Sequence, residues 1–235
     1  MLTITAALPW ETKAARAGQA IAGRGRVRLV TSGVGPTRAR DAAEAAVERH
    51  EPSQVISIGV AGGLTNNLRR PSITIPISII RQSDGARFAP DEELRKQIVR
   101  LLNQADIFWQ SVTSITTEEI LFTRPEKREA AETGAEIVQM EDAEWADVCR
   151  QADVPFASIR VVMDALDDDI PNEVVQWRGK PSALDIAVGA IRRPSLLPEL
   201  LSLGIQRQSA IQELERAMTL IIPAMTPDLI SADSA

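Results

Sequence analysis

Val138-Gln139-Met140-Glu141-Asp142-Ala143-Glu144-Trp145-Ala146, followed by Pro155-Phe156-Ala157-Ser158-Ile159-Arg160-Val161-Val162-Met163-Asp164, is the stretch whose reading decides the fold. Glu136 to Met140 reads as a short strand, Asp142 to Gln151 as a helix, and Phe156 to Met163 as an apolar strand long enough to be central. Strand, helix and second buried strand in succession make one unit of a sheet wound with helices. Glu141 and Asp164 then stand at the mouths of the two strands. Ligands collect at the carboxyl ends of strands in such sheets, so the two acids can converge on one small polar molecule. Helix capping accounts equally well for either acid taken singly, because Asp and Glu are favoured near helix N-termini.

The same rhythm runs upstream. Leu2 to Ala7 reads as strand, Thr12 to Ala22 as helix, Val27 to Thr31 as strand, Arg38 to Arg49 as helix and Gln54 to Ile58 as strand. Ile73 to Ile80 and Ile107 to Ile115 then read as strands on either side of a helix from Asp91 to Gln104, which breaks strict alternation. The expected fold is α/β: a three-layer domain with a central mixed, mostly parallel sheet flanked by helices. After Asp164 the chain passes through Asp167-Asp168-Asp169-Ile170-Pro171 into expected helices near Pro181 to Arg192 and Pro198 to Thr219. With 235 residues, 44% of them apolar, and with no repeat or linker, the chain reads as one domain over residues 1–225 and a flexible tail over 226–235.

Composition removes several classes of function. A net charge of −6, with basic clusters no larger than Arg69-Arg70 and Arg192-Arg193, opposes a nucleic-acid reader. One cysteine, Cys149, and one histidine, His50, build neither a disulfide framework nor a Cys/His metal site. The first residues lack a basic stretch followed by a long apolar core, and no apolar run approaches the roughly 20 residues that span a bilayer. A cytoplasmic protein with no membrane span is expected.

Two glycine-bearing turns close strands: Thr31-Ser32-Gly33-Val34-Gly35-Pro36-Thr37-Arg38 and Ser57-Ile58-Gly59-Val60-Ala61-Gly62-Gly63-Leu64. Glycine lets backbone approach a ligand closely, and exposed amides there can hold an anion or a hydroxyl, although tight packing explains glycine as well. Neither turn has the spacing of a dinucleotide fingerprint or a P-loop. No metal or organic cofactor is expected.

In these positions the chain resembles the purine nucleoside phosphorylase and methylthioadenosine/S-adenosylhomocysteine nucleosidase superfamily, over roughly residues 2–192. The landmarks fall in the family's order: Glu11 after the first strand, Gly33-Val34-Gly35, Gly59-Val60-Ala61-Gly62-Gly63, and Met140-Glu141 with Arg160-Val161-Val162-Met163-Asp164. The resemblance implies that Asp164 faces the purine and protonates or hydrogen-bonds N7, so that the base does not leave as a bare anion. It implies that Glu141 grips the ribose hydroxyls with Met140 beside the sugar, and that Glu11 activates the attacking water. It also places Val60, Ala61 and Gly62 against the substrate and makes Arg160 an orienting partner for a neighbouring carboxylate.

Departures are equally visible. Met163 stands where the family usually has Ser, and Val60 where many relatives have Ser or Thr. Ser57 occupies the position at which bacterial phosphorylases often carry a phosphate-binding Arg, which favours water over phosphate as acceptor. Phosphate nonetheless stays open as a co-substrate, with Arg24, Arg26, Arg38 or a partner subunit as sources of charge. A narrower similarity, carried by Ile170-Pro171, by Ile191-Arg192-Arg193-Pro194-Ser195-Leu196-Leu197-Pro198-Glu199-Leu200-Leu201 and by the second glycine turn, is to the hopanoid-associated branch. That branch implies an adenosyl-hopane substrate. The expected protein is thus a nucleosidase acting on an adenine nucleoside, with a phosphorylase and a non-catalytic nucleoside-binding protein as rivals, and it is expected to form a homodimer or higher homo-oligomer.

Overall fold

A computed structural model of the chain describes residues 1–167 and 197–226. The strands are β1 (Leu2–Ala6), β2 (Val27–Thr31), β3 (Gln54–Gly63), β4 (Ser72–Arg81), β5 (Arg87–Phe88), β6 (Trp109–Thr116), β7 (Ile137–Gln139) and β8 (Phe156–Asp164). The helices are α1 (Pro9–Ala14), α2 (Arg16–Ala22), α3 (Pro36–His50), α4 (Glu92–Gln104), α5 (Arg124–Ala131), α6 (Asp142–Gln151) and α7 (Leu197–Ala224). All eight described strands form one mixed, mainly parallel sheet with helices packed against it, as expected.

Within that sheet β3, β7, β6, β4 and β8 pair in a closed ring, since β8 hydrogen-bonds both β3 and β4. β1 and β2 extend the sheet from β3, and β5 extends it from β4. Closure brings the ends of β3, β7 and β8 together: Gly62 is opposite Val138 on one side and Asp164 on the other.

The alternation of side chains along β3 and β8 gives the ring two kinds of face. Ile56, Ile58, Ile159 and Val161 join the cluster that includes Ile98 and Leu102 of α4 and Leu214, Met218 and Ile222 of α7. Each such fully buried aliphatic side chain contributes about 1.5–3 kcal/mol. The residues between them, Ser57, Ser158 and Arg160, form a buried polar row with Asp142 at the start of α6. On the α3 side, Ala39, Ala43 and Ala46 recur at helical spacing and let α3 approach Ala143, Trp145 and Cys149 of α6 closely.

Ion pairs complete that contact. Arg40 of α3 and Arg81 of β4 both reach Glu144 and Asp147 of α6. Burial opposes the charge on Asp147, but hydrogen bonds from Arg40, Arg81 and Arg150 outweigh it and hold the carboxyl well below the usual range. Helix α6 is thereby fixed in rotation, and with it the residues at its N-terminus.

Several elements differ from the sequence expectation. The expected helix from Thr12 to Ala22 is interrupted at Ala15 and becomes α1 and α2. β3 does not stop at Ile58 but continues as strand through the glycines to Gly63, because absent side chains leave room for its neighbours without bending the backbone. β5 and α5 are additional. The expected helix near Pro181 to Arg192, the Ile170-Pro171 segment and the tail after Thr226 lie outside the described residues. Leu196 also lies outside them, and the side chains of Leu197, Leu200 and Leu201 are not among those described. No described helix is long and apolar enough to cross a membrane.

Candidate active site

Gln139 settles whether Glu141 is a cap. The Gln139 side-chain oxygen accepts hydrogen bonds from the backbone amides of Glu141 and Asp142, each at 2.7 Å. Thr116 Oγ1 accepts from the Ala143 amide at 3.0 Å and is itself tied to Gln139 Nε2 at 2.6 Å. Strand-borne side chains therefore satisfy the first amides of α6, and the Glu141 side chain makes no capping bond. Its Oε1 instead accepts from the Gly35 amide in the first glycine turn, at 3.1 Å. Burial, chiefly, pushes the Glu141 carboxyl up from its ordinary value, while Arg160 and the Gly35 amide work in the other direction.

Glu11 comes to the same place from α1. It is buried, with Oε2 accepting from the Leu8 amide at 2.8 Å and Oε1 from the Val60 amide at 3.0 Å. The first bond is local and fixes the start of α1, whereas the second ties the carboxylate to the middle of the glycine segment of β3. Burial is the largest influence and raises the Glu11 carboxyl to about 7, against the opposing pull of Arg160 and the two amides. Gly59 has a definite reason to be glycine: a Cβ there would stand 2.8 Å from Glu11 Oε1 and closer still to Arg160 Nη1.

Arg160 is only 1% exposed and carries its charge inside the protein. Asp142, 0% exposed, matches it in a two-pronged pair: Nε donates to Oδ2 at 3.1 Å and Nη2 donates to Oδ1. Ser57 Oγ accepts from Nη2 at 2.8 Å, and Ser158 Oγ donates to Asp142 Oδ2 at 2.6 Å. Burial opposes the guanidinium charge, but Asp142, helped by Glu141 and Glu11, raises the Arg160 pKa above its ordinary value. Arg160 is therefore held by Asp142 and acts at a distance on Glu11 and Glu141. Replacing one partner of such a pair leaves an uncompensated buried charge, so Asp142→Ala is expected to lose about 3–5 kcal/mol of stability in a urea titration. Asp142→Asn, which keeps the shape, is expected to lose less.

Asp164 ends β8 where the pairing shifts. Ala61 is opposite Val162 but Gly62 is opposite Asp164, so Met163 is the extra residue of a bulge. Such a bulge re-aims the side chain that follows it. A Cβ on Gly62 would lie 3.1 Å from Asp164 Oδ1, which makes Gly62 the wall against which that carboxyl rests. On its other flank Asp164 is paired with Lys127 of α5, a fully buried lysine.

The structure thus joins Glu11, Val60, Glu141 and Arg160 in one electrostatic group and sets Asp164 against Gly62, two residues beyond Val60 on β3. Ala61 is buried between the two, and Met140 is half-buried beside Glu141. Asp142, Ser57, Ser158, Gln139 and Lys127 are the functional neighbours that sequence reasoning missed. A signal existed for the segment bearing Lys127: Thr123 and Glu126 form a capping box around Pro125, and this starts α5. Cys149 is fully buried and its thiol is pushed up to about 12 by burial, which makes it inert. His50 ends α3, away from these groups. Among the described residues no group of His, Cys, Asp and Glu is arranged to hold a metal ion.

Glu11 also affects stability. The native carboxyl binds its proton more tightly than the unfolded one, so its contribution is fully present below pH 4.5 and is lost as pH rises through about 7. At roughly 1.4 kcal/mol per pH unit the rise amounts to about 3 kcal/mol. Glu11→Gln should therefore gain stability relative to the native protein between pH 4 and pH 8, by an amount of this order in chemical denaturation.

Comparison with known proteins gives the family and the fold. The family described as Phosphorylase superfamily matches residues 5–187. The chain is similar to 5′-methylthioadenosine/S-adenosylhomocysteine nucleosidase of Shewanella pealeana, 29% identical over 200 residues that cover 72% of this chain and 81% of that protein. Among solved structures it is similar to the Neisseria meningitidis nucleosidase of the same name in complex with methylthio-immucillin-A, with a TM-score of 0.73, 18% identity and coverage of 95% and 98%. It is also similar to futalosine hydrolase of Helicobacter pylori, with a TM-score of 0.72, 13% identity and coverage of 95% and 97%.

Proposed function

Because the chain belongs to the Phosphorylase superfamily, we propose that its site cleaves the N-glycosidic bond of an adenine nucleoside by hydrolysis. The observation that carries this is Glu11: a buried carboxyl raised to about 7, fixed by two amides and adjacent to the strand that leads to Asp164. A carboxyl balanced near neutral pH serves as a general base for water. The C1′–N9 bond breaks with its electron pair passing into the base, while Asp164 supplies a proton to N7 and adenine leaves neutral. The sugar becomes oxocarbenium-like, and the Glu141 side chain accepts hydrogen bonds from its hydroxyls. Water then adds to C1′ as Glu11 takes its proton. That proton returns to Asp164 through solvent.

Phosphate fits the same place poorly. The Val60 amide, which could hold an anion, is already donated to Glu11, and the Arg160 charge is matched by Asp142. A buried Glu11 at this spot would repel a phosphate dianion. Turnover in ¹⁸O-labelled water tests the acceptor: hydrolysis puts one labelled oxygen on C1′ of the free sugar even in phosphate buffer. A sugar 1-phosphate as the product would establish the phosphorylase instead.

The finer identity concerns the 5′ substituent. An adenosyl-hopane type of substrate is supported by the similarity to the hopanoid-associated branch. Methylthio, homocysteinyl and lipid-like substituents compared at equal concentration give the preference directly. The domain is taken to cover residues 1–225, and a homodimer or larger homo-oligomer in the cytoplasm is the assembly proposed, with light scattering of the purified protein as its test. No metal or organic cofactor takes part in these steps.

A further inference from the structure

Lys127 is 0% exposed, and its ammonium donates both to Oδ2 of the Asp164 carboxyl group and, at 2.8 Å, to the carbonyl of Ala165. It therefore straddles the end of β8, gripping the side chain of one residue and the backbone of the next. Placing an ammonium in the interior requires stripping its water, and for stability alone an apolar side chain of similar volume serves as well or better. The gain has to be sought at the carboxylate. Asp164 stands on a bulge, where the ladder no longer fixes its direction by simple alternation, and Gly62 opposite it walls one side with backbone alone.

We propose that Lys127 is the positioning residue of Asp164: it aims the carboxyl at the departing base and stabilises the carboxylate left behind when the proton has gone to N7. This rests on the function proposed above. In the step itself the carboxyl O–H bond breaks, N7–H forms, the C1′–N9 pair enters the purine ring, and the negative charge left on Asp164 faces the ammonium. Among the described residues the hydrogen bonds of Lys127 run to Asp164 and to the Ala165 carbonyl, so it acts on the base through Asp164.

Lys127→Met tests this. The expected result is a fall in the pH-independent kcat of about 10- to 100-fold, as for a reacting group that has lost its alignment, with KM changed by less than about threefold. The limb of the pH profile that is missing from Asp164→Asn should move to higher pH, because a carboxyl without a neighbouring cation holds its proton longer. A purely structural lysine would reduce the amount of folded protein without moving that limb. In the Asp164→Asn background the lysine substitution should slow turnover no further.

A kcat within about threefold of the native value, an unmoved limb, or losses that multiply in the double variant would each overturn the proposal. Should Lys127→Met fail to fold, Lys127→Arg decides, since it keeps the charge but shifts the donors: lower kcat with the limb in place supports the proposal, and a displaced limb overturns it. A slow Asp164→Asn with a normal Lys127→Met refutes this inference alone, whereas a normal Asp164→Asn refutes the reading of the whole site.

Discussion

Asp164→Asn is expected to lower kcat on the order of 10²- to 10⁴-fold while the protein remains folded, because it removes the proton proposed to reach N7 and leaves the side chain's shape. The amide oxygen can still accept from Lys127, and the bulge at Met163 is a property of the backbone, so the wall formed with Gly62 should persist. KM should change little, since protonation matters most as the bond to the base breaks. Circular dichroism and denaturation would establish that the loss is chemical. Near-normal turnover would show that the purine is protonated by another group and would remove Asp164 from the mechanism.

Glu11→Gln should produce the second large loss, also on the order of 10²-fold or more, and it should change the pH dependence as well as the rate. The base works when ionised. With the free protein's carboxyl raised to about 7, the ionised fraction grows as pH rises through that value, and kcat/KM should climb with it. Glutamine cannot titrate, so that dependence should vanish from the residual activity. A phosphate nucleophile arrives already ionised and needs no base, so a Glu11→Gln protein with full activity in phosphate buffer would point to phosphorolysis. The same substitution is expected to stabilise the protein at high pH, and this would locate in one residue a conflict between stability and catalysis.

Glu141 and Asp164 were legible because the signals that reveal them are local: Asp164 follows an apolar strand and Glu141 precedes a helix. Glu11 was marked only by the resemblance to the family. Their partners are not local. Asp142 meets Arg160 across 18 residues, Ser57 meets it across 103, and Lys127 meets Asp164 across 37. Those pairings follow from the closing of β3, β7, β6, β4 and β8 into a ring, and no periodicity in the chain announces a closure between β8 and both β3 and β4.

Even so, part of this could have been read. Ser158 and Arg160 alternate with Ala157, Ile159 and Val161, a polar row inside a strand otherwise buried, and such a row requires a partner in the interior. The glycine segment shows the opposite error. Five residues rich in glycine suggest a turn, yet β3 remains extended through Gly63 because Arg160, Glu11 and Asp164 need the space that side chains would take. Glycine there marks close approach by neighbours rather than a reversal of the chain.

The proposed reaction is release of a purine base using water. Free adenine measured by chromatography after incubation with methylthioadenosine, S-adenosylhomocysteine, adenosine and an adenosyl-lipid analogue, each with and without phosphate, tests it most directly. Adenine released at the same rate in the absence of phosphate, from at least one of the four, is the expected result. Release only when phosphate is present would contradict hydrolysis, and binding of these nucleosides with no release at all would contradict catalysis.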